Sequence, residues 1–108
     1  MSIKYIPLDE AAKRSGLSAA FLRMLEREEL IAFKRTLDDV EVISSADLDR
    51  ARVTALLTEE LDVNLPGAEV ILHMRDDMIA MQRQFEEILA DLVGELKRGL
   101  TPEPPRED

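Results

Sequence analysis

The chain has 108 residues, 45% hydrophobic but only 4% aromatic, and a formal net charge of −9. This length suits one small domain plus an additional segment, and apolar content drawn mainly from Leu, Ile, Val, Ala and Met suits helices packed on helices. The absence of cysteine excludes disulfides and thiolate metal sites. No apolar run reaches the roughly 18 residues that span a membrane and no signal peptide is recognisable, so we expect a cytoplasmic protein with no membrane contact.

Acidic residues outnumber basic ones in both halves of the chain. Residues 1–64 contain 9 basic and 13 acidic residues, and residues 65–108 contain 5 basic and 10 acidic residues. Proteins that bind nucleic acids ordinarily present Lys and Arg to the phosphates, so the charge opposes this role unless a local basic patch exists. It favours a positively charged protein partner instead.

The first elements have the pattern of a helix-turn-helix. Residues 3–6 form a short extended segment, and a first helix is predicted from about Leu8 to Ser15, ended by Gly16. Ser18 is a candidate N-cap for a second helix over about residues 19–29. Because only a few residues connect the two helices, the arrangement is typical of a helix-turn-helix.

Two short β-prone runs and a third helix are predicted next. Residues 31–35 and 40–43 flank a polar tetrapeptide, which predicts a β-hairpin that forms a wing beside the helix-turn-helix. Ser44 and Asp47 have the S-x-x-D spacing of a capping pair. A third helix is therefore predicted to follow them and to end at about Leu61.

A long helix from about Asn64 to Arg98 is the last predicted element. Asn64 is its candidate N-cap, Pro66 is tolerated in its first turn, and Gly99 ends it. Its apolar residues recur at alternating spacings of three and four, as in a helix that pairs with another helix. This stripe predicts a homodimer interface. Its members are Ile71, Met74, Met78, Met81, Phe85, Ile88 and Leu92.

These elements predict a mainly α fold with three segments. Residues 1–63 form a winged helix-turn-helix domain with a small β-hairpin wing. Residues 64–98 form a long coiled-coil dimerisation helix. Residues 99–108 form a disordered tail, because they are rich in proline and charge.

No group of residues in the sequence predicts catalysis or a metal site. His73 is the only histidine, and no cysteine exists to ligate a metal with it. Asp76 and Asp77 are adjacent on a helix and therefore point in different directions. No activated nucleophile, Gly-rich phosphate loop or acid/base pair is apparent. We therefore expect a non-enzymatic protein with no cofactor, metal or small-molecule ligand.

Charged residues of the second helix and the wing suggest two alternative surfaces. The basic set, which could contact DNA, consists of Arg23, Arg27, Lys34 and Arg35. The acidic set, which could contact a basic protein, consists of Glu26, Glu28, Glu29, Asp38, Asp39 and Glu41. A solvated surface of mutual salt bridges is the third interpretation, since interspersed surface charges commonly pair.

The order of the elements and several local motifs resemble the MerR superfamily. The similar segments are LSAAFLR (17–23), LEREELI (25–31), SSADL (44–48), and LDVNLPG (61–67) followed by VIL (70–72). The last of these is typical of the heat-shock-repressor-like and chaperone-modulator (CbpM-type) branches. The resemblance covers about residues 5–95 and implies an antiparallel pair of long helices.

The wing departs from the DNA-binding members that the chain resembles. Those members usually carry a Gly-Tyr-Arg-x-Tyr segment that addresses the DNA backbone, whereas the matching stretch here is DVEVI (39–43). Glu41 stands in place of the arginine, and a carboxylate repels a phosphate. The departure favours the chaperone-modulator branch, whose members bind the J-domain of a DnaJ-type co-chaperone and regulate it. A heat-shock-repressor-like DNA-binding transcriptional regulator is the alternative.

Overall fold

A computed structural model describes residues 3–99 of the chain. The elements in chain order are β1 (Tyr5–Pro7), α1 (Leu8–Ser15), α2 (Ala19–Arg27), β2 (Phe33–Arg35), β3 (Glu41–Ser44), α3 (Ser45–Ala55), a π-helical turn (Leu56–Glu60) and α4 (Leu65–Lys97). The predicted fold class, a winged helix-turn-helix followed by a long helix, is confirmed. Backbone contacts divide the chain into one compact unit that ends at Leu72 and another that begins at His73.

The three strands form one antiparallel sheet in the order β1-β3-β2. In the central strand, Ile43 pairs with Ile6 on one side and with Phe33 on the other. Residues opposite one another in register share a face of the sheet, so these three apolar side chains lie together. Ile43 is fully buried. The predicted hairpin corresponds to β2 and β3, whereas the extended lead-in forms a third strand that the sequence did not predict.

Local backbone conformation and capping determine where α1 and α2 begin and end. α1 has the predicted limits, and Gly16 follows it at φ 76°, a left-handed conformation that glycine adopts without steric cost. The hydroxyl of Ser18 accepts a hydrogen bond from the N–H of Phe21 at 3.0 Å, as an N-cap does. α2 ends at Arg27 and not at the predicted Glu29. The reason is that Glu29 has φ 63°, which a right-handed helix cannot include.

α3 is shorter than predicted and continues as a different kind of helix. The α-helical hydrogen bonding stops at Ala55, and Leu56–Glu60 form a π-helical turn, where the sequence predicted one helix to Leu61. The hydroxyl of Thr58 donates to the carbonyl of Thr54 at 2.9 Å. Such side-chain bonds to the preceding turn compete with the regular helical pattern and accompany local distortions.

The first unit has one hydrophobic core, which includes the beginning of α4. Leu22 and Leu25 from α2 and Leu72 from α4 are fully buried within it. The buried members of this core are Leu8, Ala11, Leu22, Leu25, Leu30, Ile31, Ile43, Leu48, Ala51 and Leu72. The core therefore fixes α2 against the wing, which is the arrangement that positions the candidate site.

The start of α4 requires both an asparagine and a glycine. Asn64 Oδ1 accepts a hydrogen bond from the N–H of Gly67 at 2.8 Å, which satisfies a backbone donor in the first turn of the helix. A Cβ atom at position 67 would lie 2.9 Å from Cγ1 of Val63 and 3.0 Å from Asn64 Oδ1. A larger residue would therefore force the side chains of Val63 and Asn64 to shift, which would disturb the cap.

The second unit contains the rest of α4, whose apolar side chains are exposed in the single chain. The predicted stripe residues within this unit, from Met74 to Leu92, are 51–68% exposed. Leu89, Val93 and Leu96 are also exposed and widen the apolar face toward the C-terminal end of the helix. Among residues 3–99, no helix is both long and apolar enough to cross a membrane. The use of the stripe in a homodimer stays a prediction.

Candidate functional site

An ion pair joins α2 to the first residue of β3. Arg23 Nη2 donates to Glu41 Oε1 at 2.8 Å, and Nη1 donates to Oε2 at 3.3 Å. Two N–H groups thus engage both carboxylate oxygens, the geometry in which arginine binds carboxylates and phosphates most specifically. The hydrogen bond from Arg23 lowers the pKa of Glu41 below its ordinary value, and the same bond raises the pKa of Arg23.

A second arginine, Arg35, is also paired with an acid of the wing. Arg35 lies opposite Glu41 in the register of the hairpin, and its positive charge contributes to the lowered pKa of Glu41. Arg35 Nη1 donates to Asp39 Oδ1 at 2.8 Å. Two of the four residues in the predicted basic set therefore already bind carboxylates. An occupied guanidinium offers less positive field to an approaching phosphate.

The other two residues of the basic set have different surroundings. Lys34 Nζ donates to the hydroxyl of Tyr5 at 3.1 Å and lies 5.3 Å from the centroid of that ring. Lys34 precedes Arg35 on β2, so their side chains point to opposite faces of the sheet. Arg27 is exposed at the end of α2 and forms no ion pair within residues 3–99. The four cations are therefore not assembled on one face.

The sequence was compared with protein-family models, and the result agrees with the helix-turn-helix, the β-hairpin wing and the long helix. Residues 6–89 match the model described as "MerR HTH family regulatory protein". The chain belongs to the MerR family. The matched range extends from β1 into α4 and so includes both helices of the helix-turn-helix and the whole wing. A comparison with curated proteins finds no match.

In this MerR-family chain, the predicted acidic set falls into two groups. The first group, around the C-terminal end of α2, consists of Glu26, Glu28 and Glu29, which are exposed and form no ion pair within the described residues. The second group, in the wing, consists of Asp38, Asp39 and Glu41. Only Asp38 of this second group lacks an ion pair in residues 3–99. Contact of all six with one partner stays a prediction.

An open pocket of about 360 Å³ lies between the end of α2 and the start of α3. Glu26, Glu29 and Asp47 contribute carboxylates to its lining, and residues 30–32 contribute apolar surface. Asp47 is fixed twice, because its N–H donates to Ser44 Oγ at 3.0 Å and its Oδ2 accepts from the N–H of Ala32 at 3.3 Å. The sequence predicted Asp47 only as part of a helix cap, because its approach to residue 32 depends on the folded chain.

The tip of the MerR-type wing carries a leucine for which the sequence predicted no role. Leu37 has a relative solvent exposure of 108%. It lies in the turn that Thr36 and Asp39 close, where the N–H of Asp39 donates to the carbonyl of Thr36 at 2.9 Å. Turns favour small and polar residues. The feature of the sequence that could have identified Leu37 is therefore an aliphatic residue within an otherwise polar tetrapeptide.

Proposed function

We propose that this MerR-family protein is a non-enzymatic chaperone modulator, which binds the J-domain of a DnaJ-type co-chaperone and regulates its activity. The observation that carries the proposal is the ion pair between Arg23 and Glu41. The arginine of α2 that could address DNA is bound by a carboxylate of the wing, in the place where DNA-binding relatives carry an arginine. A phosphate would have to displace that carboxylate and would meet its negative charge.

The charge that remains after internal pairing supports a basic partner. The exposed acids at the end of α2 and Asp38 of the wing have no ion pair within residues 3–99, and the whole chain has a net charge of −9. J-domains carry a basic helix, which would complement this surface. Such complementarity accelerates encounter and selects among partners more than it raises affinity.

We further propose that the protein acts as a homodimer through α4. Burial of the seven stripe side chains would contribute on the order of 10 kcal/mol as an upper estimate. A contiguous apolar patch on a monomer ordinarily marks an interaction site. The MerR resemblance implies that the two helices run antiparallel.

A DNA-binding transcriptional regulator is the second candidate function. Membership of the MerR family favours it, and Arg27 is the specific residue that supports it. This side chain is exposed on α2 without an ion pair in the described part of the chain. A regulator of this kind would have to bring Arg23, Lys34 and Arg35 to the phosphates, at the cost of their present contacts.

One titration separates the two candidates. The full chain is titrated against a purified J-domain and against duplex DNA from its own promoter at about 0.15 M salt. We expect J-domain binding that weakens with added salt, and DNA binding no tighter than non-specific affinity. Tight, salt-sensitive DNA binding together with no J-domain binding would overturn the proposal.

Two charge-reversal variants that change the net charge equally test whether the position of the acid matters. Glu26→Lys changes an exposed acid at the end of α2, and Glu87→Lys makes the same change at an exposed position on α4 outside the stripe. We expect the first variant to bind the J-domain more weakly by about tenfold and the second to resemble the wild type, because screening limits distant charges.

A further inference from the structure

We infer that Leu37 is an apolar anchor, which docks the wing into an apolar pocket on a basic protein partner. The inference rests on the proposed function, because it identifies the contact through which the wing would hold that partner. It concerns the tip of the wing, the residues 36–39 between β2 and β3, and not the charged residues of α2.

The wing tip is fixed by hydrogen bonds on both sides of Leu37. The N–H of Asp39 donates to the carbonyl of Thr36 at 2.9 Å, and the N–H of Thr36 donates to the carbonyl of Val40 at 2.9 Å. The hydroxyl of Thr36 accepts from the N–H of Val40 at 3.2 Å, and Asp39 accepts from Arg35. The turn is therefore preorganised, and binding through it would not require the backbone to be ordered first.

The turn does not bury the side chain of Leu37. Its relative exposure is 108%, compared with 43% for Val40 at the base of the same turn. A polar residue would occupy this turn position without exposing an aliphatic side chain to water. Because the backbone holds the tip and the side chain takes no part in the core, the leucine is available for a partner.

The charges around the tip indicate the chemistry of that partner. Residues 35–41 contain one basic and three acidic residues, and Asp38 forms no ion pair within the described chain. Arg23 and Arg35 neutralise Glu41 and Asp39, so the charges that oppose DNA and anionic lipid surfaces are that of Asp38 and the net charge of −9 of the whole chain. A protein surface with an apolar pocket bordered by Lys or Arg would complement both Leu37 and this charge.

Interfaces commonly depend on a few anchor residues. One side chain fills a desolvated pocket near the centre of the contact, the contacts around it exclude water, and complementary charges set the orientation. The removal of such an anchor is expected to weaken binding by about tenfold or more, as follows from the transfer free energy of a leucine side chain.

The experiment compares three variants of the full chain by calorimetric titration with a purified J-domain. Leu37→Ser removes the anchor, and Leu37→Met retains an apolar side chain of similar volume. Leu61→Ser is the matched control, because Leu61 is also strongly exposed, at 61%, but lies outside the wing. Circular dichroism and molar mass establish that each variant keeps the wild-type fold and assembly. The same proteins are titrated with duplex DNA.

The expected result is a loss of about tenfold or more for Leu37→Ser, with Leu37→Met and Leu61→Ser within about threefold of the wild type. J-domain affinity that is unchanged in Leu37→Ser, or that falls equally in Leu61→Ser, would overturn the anchor and leave the proposed function intact. A loss of DNA affinity in its place would assign the tip to nucleic acid and overturn the inference. Failure of the wild type to bind the J-domain would overturn both proposals.

Discussion

Arg23 and Glu41 lie 18 positions apart in the sequence, yet the guanidinium of one contacts both carboxylate oxygens of the other. The pair connects the second helix of the helix-turn-helix to β3, the wing strand that is central in the sheet. It also occupies the position at which this MerR-family chain departs from the DNA-binding pattern that it resembles. Two expectations that experiment can check follow from this contact, and two more follow from the backbone at Glu29 and from the apolar residues of α4.

Replacing Glu41 is expected to increase affinity for DNA. Glu41→Arg reverses the charge beside Arg23 and releases that guanidinium, so affinity for duplex DNA is expected to rise by about tenfold at low salt. In a plot of log affinity against log salt concentration, the slope should become more negative by about 0.9 for each additional phosphate that the protein neutralises. Fluorescence anisotropy with labelled DNA measures both. Glu41→Gln, which removes one charge and adds none, is the control with an intermediate effect. Equal affinity of all three proteins would contradict the prediction.

The contribution of the same pair to stability is expected to depend on pH. Glu41 has a lowered pKa in the folded chain because Arg23 binds its charged form. The stabilisation is therefore fully present above the ordinary pKa of 4.5 and is lost as the pH falls through the lowered value. Urea unfolding of the wild type and of Glu41→Gln checks this. The two midpoints should differ at pH 7 and converge in acid, and a difference that grows on acidification would be the opposite result.

Glu29→Gly is expected to stabilise the protein. Glu29 has φ 63°, a conformation that costs roughly 1–2 kcal/mol for residues other than glycine, and the greater freedom of glycine in the unfolded chain offsets part of the gain. The free energy of unfolding should rise by up to about 1 kcal/mol in urea titrations. Asp62→Gly, at φ 55°, should gain less, because aspartate tolerates this region better. A stability loss in Glu29→Gly would indicate that its side chain makes a stabilising contact.

Substitutions at two apolar residues of α4 are expected to affect different equilibria, one the unfolding of the chain and the other its dimerisation. Leu72 is fully buried in the core of the first unit, so Leu72→Ala should cost about 2–5 kcal/mol of unfolding free energy at any protein concentration. Phe85 is exposed in the single chain, so Phe85→Asp should abolish the homodimer and make the thermal midpoint independent of concentration. Light scattering and melting at several concentrations measure both effects. A monomeric wild type at micromolar concentration would exclude helix pairing.

The elements with local signals were predictable from the sequence. Ser18, Asn64 and Gly16 act through side-chain oxygens or backbone freedom within a few residues, so the ends that they define agree with the structure. β1 was not predictable as a strand, since three residues show no periodicity and its partner, β3, lies far along the chain. The π-helical turn is accompanied by a threonine side chain that bonds to the preceding turn, and helix propensity does not indicate such a turn.

The sequence could predict which charged residues belong to the candidate site, but not which of them form ion pairs. The sequence identifies which charges occur in α2 and the wing, but the pairing of Arg23 with Glu41 requires the core to bring the two elements together. Likewise, a polar turn is evident from the sequence, whereas the full exposure of Leu37 depends on the absence of any neighbour that folds over it within residues 3–99.

The position of β3 between β1 and β2 has a consequence for the kinetics of recognition. Its backbone is hydrogen-bonded on both sides, so the hairpin of β2 and β3 cannot move independently unless the ladder between β3 and β1 opens. Amide protons of β3 should therefore exchange slowly with deuterium, and those of the wing tip more quickly. A partner meets a surface that already exists, and its association rate is expected to be limited by encounter and orientation rather than by rearrangement of the wing.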